Sequence, residues 1–125
     1  MFILGIDDGA YTFELIRQTE EFVVAFPSEQ MASQTLFAGT HSGREKDKFA
    51  EAGLSVQDGT AVKAPLIRDA VANFECMLLQ VVKPGDCPLV IGQVVAAHVN
   101  EDETVRRLYT LAKGYVLGGV LPRQQ

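Results

Sequence analysis

Two apolar runs of equal length, Ala72 to Val82 and Leu89 to Val99, constrain this 125-residue chain more than any other feature. Both are rich in Val, Leu, Ile and Phe, and the turn Lys83-Pro84-Gly85-Asp86 lies between them. Residues of that kind favour extended backbone, and Pro-Gly reverses the chain. The segment therefore reads as a long antiparallel hairpin, around which the rest must pack. Gly92 interrupts the second run. A glycine inside a strand marks a bulge or a close backbone approach.

Around this hairpin the chain divides into an α-rich first half and a β-rich second half. Phe2-Ile3-Leu4-Gly5-Ile6 reads as a strand that begins almost at Met1. After the Asp7-Asp8-Gly9 turn, Tyr11 to Gln18 has helical spacing, with Thr12 as cap and Phe13, Leu15 and Ile16 as the inward stripe. Phe22 to Phe26 is a short β run ended by Pro27. Ser28 is read as the cap of a second short helix through about Phe37, with Met31 and Leu36 inward and Gly39 as its terminator. A third helix is expected to start at Ser42. Ser42-Gly43-Arg44-Glu45 matches a capping box, and Gly53 fits the left-handed residue that closes a helix, with Leu54 behind it. Val62 to Ile67 reads as a strand weakened by Pro65. The tail from Thr104 reads as a short helix, and Gly114 to Gly119 as a final strand or turn. No linker or internal repeat divides the chain, so residues 1–125 are expected to form one domain, mainly β with short helices.

Charge and composition remove several function classes. The formal net charge is −5, and phosphate-backbone binding needs a basic face, so a nucleic-acid partner is not expected. No apolar run approaches the roughly 20 residues of a membrane span. Cys76 and Cys87 do not make a disulfide framework, and no leader is visible, so a cytoplasmic location is expected. Neither GxxxxGK[ST] nor GxGxxG is present. His41 and His98 stand apart from each other and from any metal-ligand spacing, so no metal site is expected. A Cys–His nucleophile pair has no local signature here.

The stretch Gly39 to Gly53 carries the most chemistry. A helix N-terminus offers unpaired amides and partial positive charge, which suits a phosphate. Here it would be joined by the Thr40 and Ser42 hydroxyls and by Arg44, Lys46 and Lys48. The local pattern fits equally a capped surface helix with solvated charges.

The wider pattern resembles a known family. Gly39-Thr40-His41-Ser42-Gly43-Arg44, Asp47-Lys48-Phe49 and Ala52-Gly53-Leu54 resemble the flavin reductase-like FMN-binding proteins, flavoredoxins in particular. Tyr11 to Ile16, Glu21 to Val24, Pro27-Ser28-Glu29, Lys63 to Ile67, Phe74-Glu75-Cys76 and Ile91 to Val99 follow the same order. The resemblance runs from Phe2 to about Asp102. It implies a split β-barrel that forms a homodimer, holds FMN near the dimer interface and passes electrons between NAD(P)H, the flavin and an acceptor. By motif, Thr12, Lys48 and His98 would contact the flavin, with Ser42 and Arg44 near its phosphate. His98 fits equally a polar residue at a strand end. The resemblance also implies departures. About two N-terminal strands that help grip FMN would precede the position of Phe2 and are missing here. Ala10 stands where an Arg is common, and Ala25 where an Asn is common. A truncated, non-catalytic split barrel acting as an oligomeric or partner-binding module is therefore the alternative expectation.

Overall fold

The structure is a computed structural model that describes residues 1–44 and 47–120. Its centre is a four-stranded antiparallel sheet. The strands are β1 (Phe2–Gly5), β2 (Glu21–Phe26), β5 (Ala72–Val82) and β6 (Leu89–Val99), in the order β1-β6-β5-β2. Two small two-stranded sheets flank it. One pairs β3 (Val56–Gln57) with β4 (Leu66–Ile67), and the other pairs β7 (Tyr109–Ala112) with β8 (Val116–Gly118). Among the described residues there are also three α-helices: α1 (Tyr11–Thr19), α2 (Ala32–Thr40) and α3 (Lys48–Ala52). A 3-10 turn at Glu29–Met31 leads into α2.

The expected hairpin is present with the expected bounds. It contains two register shifts, between Glu75 and Cys76 and between Leu78 and Gln80. The extra residues are Val95 on β6 and Leu79 on β5. Bulges bend and twist a strand pair, so this long hairpin curls. Gly92 sits opposite Leu78 beside the second bulge. A Cβ on Gly92 would lie 2.4 Å from Cζ of Phe22, so the glycine admits an aromatic ring from β2 against the sheet. Ile16, Phe22, Cys76 and Val90 form the buried core on this face. Phe2, Leu4, Phe13, Val24, Phe74, Leu78 and Val94 pack around them. α1 contributes its inward side through Phe13 and Ile16, while Leu15 is exposed. Met31 is buried and Leu36 half-buried, as their positions in the second helix suggested.

The other side of the sheet is covered at one end only. There, Asn73 and Glu75 of β5 reach into the loop of residues 59–67. The Asn73 amide closes two bonds of 2.9 Å with the backbone of Ile67, donating to its carbonyl and accepting from its N–H. Glu75 is fully buried and accepts four hydrogen bonds: Thr60 Oγ1 at 2.8 Å, Ala61 N at 2.7 Å, Val62 N at 2.9 Å and His98 Nε2 at 2.5 Å. Toward the other end, Ile3, Met77, Leu79 and Val95 are exposed.

Several local expectations are corrected. α1 begins after Ala10, and no side chain caps it, so Thr12 is a residue of its first turn. Ser28 makes no capping bond, and Gly39 lies inside α2, which ends at Thr40. The third helix starts at Lys48 and not at Ser42. Asp47 is its cap, accepting from the Ala50 amide at 3.3 Å. Ser42 Oγ instead accepts from Arg44 N at 3.2 Å in a local turn. A short hydroxyl-to-amide turn competes with helix at such residues. Glu45 and Lys46, half of the expected box and one of its cations, lie outside the described residues. Gly53 does close α3, at φ 71. The strand expected from Val62 to Ile67 reduces to β4, because the backbone amides of Ala61 and Val62 turn to Glu75 instead of a neighbouring strand. Among the described residues, the tail forms the β7–β8 hairpin in place of the expected short helix, with the expected strand present as β8. Gly114 and Tyr115 both take positive φ at its turn.

Candidate functional site

Four of the five residues expected to contact a ligand meet around one cleft. Thr12, Ser42, Arg44 and Lys48 line a depression of about 380 Å³, together with Gly9 to Tyr11 and Gly39 to Gly43. Its walls are the start of α1, the end of α2, the loop after it and the first residue of α3. A second cleft of about 410 Å³ adjoins it, sharing Tyr11, Thr12, Gly43 and Lys48. This one is apolar, lined further by Leu15, Ala38, Asp47, Phe49 and Leu54. Thr12 and Lys48 thus stand at the seam between a polar and an apolar compartment.

The C-terminus of α2 organises the polar compartment. The last carbonyls of a helix lack partners within it and carry partial negative charge. Here three side chains meet three successive carbonyls. Thr40 Oγ1 donates to Leu36 O at 2.9 Å, His41 Nδ1 lies 2.9 Å from Phe37 O, and Lys48 Nζ donates to Ala38 O at 2.6 Å. Lys48 is therefore held at the cleft by α2. An ammonium has three donors, so this bond is compatible with a second one to an anion. The anion-binding property that the sequence assigned to a helix N-terminus at Ser42 does not arise that way. The N-terminus that does form, at Lys48, faces the carboxylate of its own cap, Asp47.

Arg44 pairs with Glu14 of α1, and its guanidinium lies 4.8 Å from the centre of the Tyr11 ring. The pair is exposed on both sides, so it contributes little to stability. It does fix the guanidinium at the cleft wall and offsets part of its charge.

His98 lines neither cleft. Its Nε2 meets Glu75, at the covered end of the sheet. Burial alone would push the Glu75 carboxyl up. Hydrogen bonds from His98, Ala61, Val62 and Thr60 outweigh that and hold it far below the usual carboxylate range. His98 and Glu75 together act as a fastener between β5, β6 and the loop of residues 59–62. The bond accounts for His98 as a polar residue near a strand end.

Two further features were not legible as site residues. His41 lines the polar cleft, yet the sequence showed only an isolated histidine. Its position directly after a helix end was the available signal. Glu75 was the lone charge in a mostly apolar strand, which signals a buried polar partner. Burial also pushes the Cys76 thiol up, so it stays protonated at neutral pH and is not poised as a nucleophile. Among the described residues, no group of three or more His, Cys, Asp or Glu is placed to hold a metal ion, and no helix is long and apolar enough to cross a membrane.

A curled antiparallel sheet with helices packed at one face and a two-compartment cleft beside it has the architecture of a split half-barrel. The family model described as Flavin reductase like domain matches residues 1–116, and the chain belongs to that family. A protein of Archaeoglobus fulgidus is 33% identical over 106 residues, covering 83% of this chain and 59% of that protein. Among solved structures, the FMN-binding protein from Thermus thermophilus with bound p-hydroxybenzaldehyde is similar with a TM-score of 0.83 and 25% identity, covering 99% of this chain and 71% of that one. Flavoredoxin from Methanosarcina acetivorans gives a TM-score of 0.72 and 28% identity, covering 79% and 52%. The chain spans about half the length of the curated relatives it matches, 59% of the first and 52% of the next. The fold is accordingly a mainly β, flavin reductase-like split barrel with short helices.

Proposed function

We propose that this chain binds FMN, with the phosphate in the polar cleft, and serves as a flavin reductase-like oxidoreductase domain between NAD(P)H, the flavin and an acceptor. The observation that carries this reading is the convergence of Thr12 with Ser42, Arg44 and Lys48, which lie 30 to 36 positions further along the chain, on one cleft that opens into an apolar one. The donor set suits the ligand: two hydroxyls and two cations for a phosphate, apolar walls for a flat ring. In this arrangement Lys48 and Arg44 neutralise phosphate charge, while Thr12 and Ser42 donate hydrogen bonds. His98 positions the sheet end through Glu75. FMN, when bound, supplies hydride-transfer chemistry, and the protein's part is to bind, orient and shield it.

On this reading residues 1–125 work as one domain, and two copies associate. Exposed apolar residues on the sheet, Ile3, Met77, Leu79 and Val95, support association. Two cysteines without a disulfide suit the cytoplasm. The family likeness to the FMN-binding protein of Thermus thermophilus supports the choice of flavin.

The test is a visible-spectrum titration with FMN, compared with riboflavin, which lacks the phosphate. Saturable FMN binding, weakened about tenfold or more by Lys48→Ala, is expected, as for a lost charge-assisted hydrogen bond. An absence of saturable binding overturns the reading. The alternative, a non-catalytic partner-binding module, is favoured by one observation: Arg44 is already paired with Glu14. FMN binding without any NAD(P)H oxidation would support that alternative for the electron-transfer step alone.

A further inference from the structure

Resting on the flavin reading above, we propose that His41 is a proton-dependent ligand of the FMN phosphate, so that this cleft grips its cofactor more tightly in its acidic form. The argument starts from the tautomer. His41 Nδ1 lies 2.9 Å from Phe37 O and 3.2 Å from Thr40 Oγ1. A carbonyl oxygen only accepts, so Nδ1 must carry the proton. The Thr40 hydroxyl is consistent with this, because its own proton goes to Leu36 O at 2.9 Å, leaving its oxygen to accept from Nδ1. The ring is also stacked on Phe37, with centroids 4.0 Å apart and planes inclined by 20°. Its orientation is thus fixed by two contacts within α2.

With Nδ1 committed, Nε2 is the atom that gains or loses a proton. Neutral, it offers a lone pair, which repels a phosphate oxygen. Protonated, it offers an N–H donor and a positive charge in the same cleft as Ser42, Arg44 and Lys48.

The other charged groups around the cleft make this one decisive. From α1, Glu14 offsets Arg44, and Tyr11 lies under that guanidinium. From α3, Lys48 is tied to Ala38 O, and the Asp47 carboxylate sits in the adjoining compartment. In the turn before α1, Asp7 accepts from the Gly9 amide and Asp8 is paired with Lys83. Among the described residues, His41 is the imidazole that lines the cleft, and imidazole is the side chain whose second nitrogen can take up a proton to become a donor.

The experiment measures FMN and riboflavin affinity of the full chain from pH 5.5 to 8, beside His41→Gln. A phosphate monoester loses charge below about pH 6, which alone weakens FMN binding in acid, and the Gln variant reports that ligand effect by itself. Relative to the variant, the native chain is expected to gain about tenfold in FMN affinity on going from pH 8 to 5.5, with no gain for riboflavin. Parallel pH curves for native chain and variant, with FMN bound in both, overturn this inference and leave the flavin reading standing. Failure to bind FMN at any pH overturns both. A second measurement needs no variant to fold. The chain has two histidines, and the His41 ring resonance, titrated by NMR, should change its midpoint to higher pH when FMN is added. An unchanged midpoint with FMN bound overturns the inference.

Discussion

Glu75 shows how one side chain can hold three elements together. Its carboxylate is buried, and four donors converge on it. Removing it in Glu75→Ala leaves the buried Val62 amide and the part-buried Ala61 amide and Thr60 hydroxyl without their acceptor. Leaving a buried donor unsatisfied costs about 1–3 kcal/mol, and urea denaturation should read a loss of at least that size. The same residue gives the fold an acid limb. Its carboxyl is depressed in the folded state, so its stabilisation is complete above the unfolded pKa of about 4.3. It is lost progressively as pH falls below that toward the folded value. Stability measured from pH 6 to 3 should therefore fall more steeply for the native chain than for Glu75→Gln, which has no proton to take up. None of this was readable from sequence beyond a charge in an apolar run, because its four partners come from positions 60, 61, 62 and 98.

At the scale of single elements, the long strands were the most legible part of the chain. Their β-rich composition and the Pro-Gly turn fixed β5 and β6 to their ends, since nothing local competes with that pattern. The glycine in β6 was also informative. Gly92→Ala would drive a methyl into the buried ring of Phe22, 2.4 Å from Cζ. Overpacking a core costs typically 1–3 kcal/mol, so a clear drop in thermal midpoint is expected, with the fold retained. The short helices were less legible. α3 has five residues, too few for periodicity, and both Ser42 and Asp47 are good caps. Structure chose Asp47, and Ser42 was left to a turn. In the tail, Gly114 to Gly119 forms the expected turn and strand, while the short helix expected before it is the strand β7. The positive φ of Tyr115 and Gly114 turns the chain into a hairpin, and tyrosine gives little warning of that conformation.

For the molecule as a whole, the sheet is finished on one side and open at one end of the other. The two bulges place Leu79 and Val95 outward, where they are 55% and 46% exposed. An apolar surface of this kind is expected to be covered by a second copy. Light scattering at micromolar concentration should give a dimer mass, and Leu79→Lys should shift it toward monomer. A monomer for the native chain would remove this expectation. The cleft, by contrast, could be read from sequence only in part. The motif around Lys48 was visible, and Thr12 followed from family resemblance. That the two line one cleft is a product of the start of α1 and the first residue of α3 meeting there, which no local pattern contains.

The bond from Lys48 to the last turn of α2 has one more consequence. A free lysine side chain explores many rotamers, and fixing one costs up to about 2 kcal/mol of conformational freedom. At Lys48 that restriction is already in place before any ligand arrives, because Ala38 O holds the ammonium. His41 is restrained in the same way by its stack on Phe37. The cleft is thus organised ahead of its cargo, and an anion entering it meets a rigid set of donors. Calorimetry of FMN binding should accordingly show a small ordering penalty from these residues, with association limited by encounter and not by rearrangement of the wall.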